Sequence, residues 1–181
     1  MLDVLFIAAS LIWVAEFIFF RSRAGSEGTE RRSFPWIFLA VAAVVGISIL
    51  SRESGMMLFP VPFLPWAGLI LYIFGIFLRY WGIRELGSQF TRDVEYTGED
   101  RLVSSGPFRR LRHPLYTGLL SIVAGFALFM SSAAGFLLTL VLFLPLLLNR
   151  IRSEEQLLIR SFGEEYRNWL KHRYRLIPFI Y

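Results

Sequence analysis

Gly106-Pro107-Phe108-Arg109-Arg110-Leu111-Arg112-His113-Pro114-Leu115-Tyr116-Thr117-Gly118 is the stretch on which the fold of this chain turns. It is cationic and turn-forming, and it runs directly into a long apolar segment. His113, one of two histidines in the chain, stands at the junction. Proline fixes φ and lacks an N–H, which suits the first turn of a helix. Leu115 onward is therefore expected to be a membrane helix whose mouth carries Arg112, His113 and Tyr116.

The composition around this stretch points the same way. Of 181 residues, 55% are apolar, and the mean hydropathy is +0.54. Both exceed what a soluble domain carries. Several runs approach the roughly 20 apolar residues that span a bilayer. The reading is an all-α, polytopic membrane protein with about five transmembrane helices in one domain, 1–181. Three helices fill 1–83, and 84–181 holds a core built on a helical hairpin and a charged tail. The net charge of +5 is mostly arginine between apolar runs. That fits the positive-inside rule better than nucleic-acid binding. The chain has no cysteine, so thiolate nucleophiles and zinc–sulfur sites are excluded, and two histidines cannot build an all-histidine metal site.

Outward from the junction, the spans are expected at about Leu2–Phe20, Phe34–Leu50, Phe63–Ile83, Leu115–Met130 and Ala133–Leu148. No basic region precedes the first run and no small-residue cleavage site follows it, so it reads as a membrane helix. Glu16, near the end of that run, is expected to reach the interface beside Arg21 and Arg23. The alternative is a functional role at membrane depth. Ser51 to Pro65 is a proline-broken connector. Arg79 is expected to snorkel outward, and Gly68 and Gly75 to allow close helix packing. Ser131-Ser132 turns the fourth helix into the fifth. The character changes at Asn149, and Arg150 to about Lys171 is charged and amphipathic. This fits a helix leaving the membrane and a second one lying at the interface, with a break at Phe162-Gly163.

Counted by loop, four arginines follow the first span, one the second and six the third. The turn after the fourth has none, and the tail is rich in them. The alternation places the N-terminus outside and the C-terminus in the cytoplasm. It also places the Arg112-His113-Pro114 loop and the tail on one face, where they can form one site. In the tail, Arg150 and Glu154 are four apart and share a helix face. Arginine ahead of glutamate is the poorer order for a simple surface pair. There is no phosphate-binding glycine loop, no dinucleotide fingerprint and no complete serine–histidine–acid set.

Taken in order, Gly87-Ser88-Gln89-Phe90, Leu102-Val103, Ser105-Gly106-Pro107-Phe108, Arg112-His113-Pro114 with Tyr116 and Gly118, Glu154-Glu155 with Leu158, Phe162-Gly163, Tyr166 and Pro178 form a recognisable set. This set resembles the isoprenylcysteine carboxyl methyltransferase family and its prokaryotic relatives. More distantly it is similar to the integral-membrane phospholipid methyltransferases. The resemblance covers about Gly87 to Pro178. It implies S-adenosyl-L-methionine as cofactor, bound at a cytoplasmic site closed by the C-terminal helices. By position it assigns Arg101, Leu102, Val103, Phe108, His113, Pro114, Leu115, Tyr116 and Glu154 to the cofactor, with Glu154 holding the amino group of the methionine part. Arg150 would face the methyl acceptor, and Arg150 and Glu154 would be the catalytic pair. Two features depart from the family. Phe108 stands where tyrosine is commoner, and Asp93 to Asp100 does not align cleanly, which leaves Glu95 without a firm role.

The implied partners are a lipophilic or lipid-linked acceptor and membrane lipids. A carboxylate acceptor is ionised at pH 7 and needs no general base, whereas an amine must first lose a proton. The expectation is therefore O-methylation of an isoprenylcysteine-like acid. N-methylation of a phospholipid or small amine is the first alternative, and a sterol-reductase-like nicotinamide enzyme is the second. A non-catalytic scaffold binding anionic lipid is the third.

Overall fold

The computed structural model describes residues 1–20, 33–91 and 100–178. Arg21, Arg23 and Glu95 lie outside the described residues. The described residues form six α-helices besides short helical turns: α1 (Leu2–Phe19), α2 (Ser33–Ser54), α3 (Leu64–Leu86), α4 (Pro114–Phe129), α5 (Ala133–Phe162) and α6 (Glu164–Leu170). Helices α1, α2, α3 and α5 are long and apolar enough to cross a membrane. The fifth apolar helix, α4, has 16 residues and packs against α2, α3 and α5. Along α1 the side chains of Val4, Ile7, Leu11, Val14 and Ile18 are exposed. An apolar face of that extent is matched to hydrocarbon rather than water. The protein is an all-α, multi-pass integral membrane protein.

The tightest packing is α3 against α4, and glycine makes it possible. Gly75 lies on Gly118 and Gly68 on Gly125, in an antiparallel register seven residues apart on each helix. A Cβ at Gly75 would sit 2.6 Å from the Gly118 carbonyl oxygen and 2.8 Å from the Ile122 nitrogen. These are backbone atoms and cannot step aside. Between helices in lipid, such close approach replaces the hydrophobic drive that water would supply. Gly75→Val is expected to cost about 1–3 kcal/mol by overpacking, read as a lowered unfolding temperature in detergent. Gly46→Ala, where nothing lies within 4 Å of the new carbon, is the control that should not fall.

Two apolar clusters flank this pair. Ala9 of α1 meets Tyr72, Ile76 and Ile122 on one side. On the other, α2, α4 and α5 pack around Val44, Ala127, Phe143, Leu147 and Ile151, joined by Leu176 from the tail. At one end of the bundle the proline-broken connector docks on the α4–α5 turn, through Phe59 N–H to Ser131 O at 2.8 Å and Ala133 N–H to Met57 O at 2.8 Å. Ser132 caps α5 by accepting from the Gly135 N–H at 2.9 Å.

Three expectations need correction. First, α5 does not end at Leu148. It runs without a break to Phe162, because the change from apolar to charged residues at Asn149 alters its surroundings but not its helix propensity. Within it, Thr139–Phe143 widens into a π turn just before Pro145. That widening relieves the clash of the proline ring with the preceding turn. The expected break does occur at Gly163, whose φ is +55°, and α6 follows. Second, Arg79 does not snorkel. Third, Glu16 does not reach the interface. The two side chains meet inside the bundle, Arg79 Nε donating to Glu16 Oε2 at 2.8 Å and Nη2 to Oε1, with Glu16 fully buried. An intramembrane charge is costly unless it faces a partner, and each supplies the other.

Candidate active site

The site is built where α3, α4 and α5 present their polar ends. Pro114 occupies the first turn of α4, as its missing N–H favours, and His113 immediately precedes it. The short helix Gly106–Arg109 leads into this turn. Gly106 has φ +53° and lies against the Glu85 side chain, which also accepts from the Ser105 hydroxyl. Gln89, in the short helical turn after α3, fixes the next stretch of loop. Its side-chain oxygen accepts from Arg101 N–H at 2.7 Å, and its amide donates to Arg101 O at 3.2 Å.

The C-terminal segment straps the loop from the far side. Arg112 N–H donates to Tyr174 O at 2.8 Å and Tyr174 N–H to Arg110 O at 2.9 Å. Thr117 Oγ1 donates to Leu176 O at 2.8 Å. Helix α6 adds an aromatic side. Tyr166 stacks on Trp169 with ring centroids 5.6 Å apart, and Trp169 Nε1 donates to Ser104 Oγ at 2.8 Å. The Arg173 guanidinium lies over the Trp169 ring, 4.2 Å from its centroid.

These elements enclose a cavity of about 330 Å³, in the range of small-molecule sites. All ten residues singled out from the sequence line it: Arg101, Leu102, Val103, Phe108, His113, Pro114, Leu115, Tyr116, Arg150 and Glu154. Arg150 and Glu154 are joined through a third residue. Arg150 Nε donates to the Tyr116 hydroxyl at 2.9 Å, and that hydroxyl donates to Glu154 Oε2 at 2.5 Å. The tyrosine thus relays between opposite charges, and each hydrogen bond is charge-assisted. His113 is buried between two carboxylates, with Nε2 3.2 Å from Glu155 Oε1 and Nδ1 3.8 Å from Glu154 Oε1.

Glu155 has a different task from its neighbour. It faces His113, Arg112 (3.5 Å) and Arg175, so it ties α5 to the loop and to the tail. Glu155 belongs to the sequence motif, but the family resemblance assigns it no role. The available signal was the run of arginines in the tail. Reasoning from the sequence also missed the apolar wall, formed by Trp13 and Phe17 of α1 with Ile37, Phe38 and Val41 of α2. Arg79 joins that wall and donates through Nη1 to Leu115 O at 3.3 Å. The cavity therefore has a polar half under the loop and tail and an apolar half between α1 and α2.

Two polar atoms of lining residues are left over among the described residues, Trp13 Nε1 and the Tyr166 hydroxyl. The Tyr166 hydroxyl is buried and has no hydrogen-bond partner among the described residues. Burial, with Glu155 and Glu154 nearby, raises its pKa well above the ordinary tyrosine value, so it stays a protonated donor. A buried donor without a partner is costly, and a polar ligand in the cavity would relieve it.

Comparison with known proteins fits this architecture. The family model described as phospholipid methyltransferase matches residues 63–165, and the chain belongs to that family. It is similar to a probable protein-S-isoprenylcysteine O-methyltransferase of Oryza sativa subsp. indica, 30% identical over 123 residues that cover 65% of this chain and 63% of the rice protein. It is also similar to phosphatidylethanolamine N-methyltransferase B of Dictyostelium discoideum, 29% identical over 112 residues covering 58% of this chain and 56% of that one. Among solved structures it resembles the eukaryotic intramembrane Ras methyltransferase ICMT, with a TM-score of 0.70 and 22% identity over 96% of this chain and 63% of that chain. The chain thus spans less than two thirds of the length of each of these three proteins.

Proposed function

We propose that the protein is an S-adenosylmethionine-dependent methyltransferase that esterifies the carboxylate of a lipophilic, isoprenylcysteine-like acceptor. The observation that carries this reading is the joined cavity, whose polar half holds the Arg150–Tyr116–Glu154 relay and whose apolar half lies between membrane helices. The cofactor fits the polar half on the chemistry of its lining. Glu154 offers a carboxylate to an ammonium group, Tyr166 offers an unused donor, and Leu102, Val103 and Phe108 offer apolar surface. When bound, the cofactor supplies an electrophilic methyl group and a sulfur leaving group. What remains for the protein is to hold the two reactants in line.

Arg150 suits an acid as acceptor. Arg79 and Arg112 of the lining are paired with Glu16 and Glu155, whereas Arg150 reaches the lining through the Tyr116 hydroxyl. A guanidinium grips a carboxylate by two parallel hydrogen bonds. Arg150, already aimed by Tyr116, orients the acceptor next to the cofactor half, while the wall of Trp13, Phe17, Ile37 and Phe38 takes the apolar chain. No side chain has to remove a proton from such an acceptor. The arginine count by loop supports a site on the cytoplasmic face, with the C-terminus inside.

Purified protein in detergent, given methyl-labelled S-adenosylmethionine, is expected to place label on N-acetyl-S-farnesylcysteine as a base-labile ester. Label on phosphatidylethanolamine instead would move the reading to N-methylation. No transfer, together with no binding of S-adenosylhomocysteine, would end it. Tyr116→Phe removes the hydroxyl from the relay. Cofactor-product affinity should fall by about 1.5–3 kcal/mol, the worth of a hydrogen bond to a charged group, measured by titration calorimetry, with little change in unfolding temperature.

A further inference from the structure

Arg79 and Glu16 form a buried ion pair at the wall of the acceptor half of the cavity. The two residues are 63 positions apart and come from α3 and α1. Glu16 lies outside the residues matched by the family model. Of the five N–H groups an arginine carries, Nε and one on Nη2 go to Glu16, and one on Nη1 goes to Leu115 O. Leu115 precedes Tyr116, the relay residue, so the guanidinium is held from one side by α1 and braced on the mouth of α4. Its charge is already matched by Glu16 before any acceptor arrives.

We propose that Glu16 is a positioning residue that sets how strongly Arg79 grips an anionic acceptor. This rests on the methyltransferase reading above. An unmatched guanidinium in a site poor in water would hold a carboxylate very tightly, because charge interactions strengthen as the local dielectric falls. With Glu16 in place, an incoming acid meets a neutral pair and shares Arg79 with a resident carboxylate. The acid then binds moderately. The methyl ester, which is neutral, loses little attraction on leaving. Glu16 in this way sets the difference in affinity between acid and ester, and so sets product release.

The test measures binding of N-acetyl-S-farnesylcysteine and of its methyl ester by calorimetry, in the presence of S-adenosylhomocysteine. In Glu16→Gln the acid is expected to bind about tenfold tighter relative to the ester than in the wild type, from the uncovered charge. Glu16→Asp keeps the charge and should keep the wild-type acid-to-ester ratio. Glu16→Gln combined with Arg79→Gln removes the pair without stranding either charge, and should lower the ratio below wild type. This double variant carries the test if the single glutamine variant does not fold. A purely structural role for the Glu16–Arg79 pair would weaken acid and ester alike and leave their ratio unmoved in all three variants, and that result overturns the proposal. Failure of the wild type to bind S-adenosylhomocysteine is a separate outcome, which overturns the methyltransferase reading beneath it.

Discussion

Glu154→Ala is expected to abolish S-adenosylhomocysteine binding while leaving the fold in place. The carboxylate takes the Tyr116 hydroxyl and lies 3.8 Å from His113 Nδ1. Its loss removes the only glutamate among the described residues of the cavity lining and frees Arg150 from the far end of its relay. Truncating one partner of a buried, hydrogen-bonded charge pair costs about 2–5 kcal/mol in binding. That is about 30-fold to several thousand-fold in affinity, enough to take a micromolar ligand out of calorimetric range. The unfolding temperature of the unliganded protein should move by much less, because the tail is tied down by the neighbouring residue. Retained binding within a few-fold of wild type would mean that Glu154 is not a cofactor ligand.

Glu155→Ala should show the opposite pattern. This side chain faces no part of the cavity, yet Arg112, His113 and Arg175 all turn toward it. Its removal takes the shared carboxylate from buried His113 and from the part-buried guanidinium groups of Arg112 and Arg175, at a cost of about 3–5 kcal/mol. The expected readout is a large drop in unfolding temperature and early proteolysis of the tail near Arg173–Arg175. Binding would fall as well, as a consequence of losing the strap. Glu155→Gln, which keeps an acceptor oxygen, should recover part of the stability. An unchanged unfolding temperature in the alanine variant would show that the strap is held mainly by the backbone bonds between Arg110, Arg112 and Tyr174.

Adjacent glutamates with separate tasks illustrate what the sequence made legible. Their spacing from Arg150, the His113-Pro114 start of a helix and the paired glycines of α3 are local patterns, and local periodicity carries them. The ten residues that the family resemblance assigned by position line one cavity. What stayed hidden needed a partner far along the chain. Glu16 and Arg79 each sit near the end of an apolar run, where snorkelling is the commoner fate. Only the packing of α1 on α3 brings them together. The apolar wall was hidden for a different reason. Trp13, Phe17, Ile37 and Phe38 are the same kinds of residue that face lipid elsewhere on α1 and α2, and composition does not distinguish a lining from a lipid contact. Helix α5 was cut short in the sequence reading because polarity changes at Asn149, although no glycine or proline stops the helix there.

The continuity of that helix has a mechanical consequence. At 30 residues, α5 is about 45 Å long, against about 30 Å of hydrocarbon. One rigid rod is thus both anchor and site, since its protruding end carries Arg150, Glu154 and Glu155. The height of these residues above the lipid is set by how deeply the lower turns sit. A membrane thinner or thicker than the rod's apolar length changes its tilt, and any tilt swings the relay residues relative to the loop fixed on α3 and α4. Lipid chain length would then bear on the geometry of the cavity through the tilt of α5.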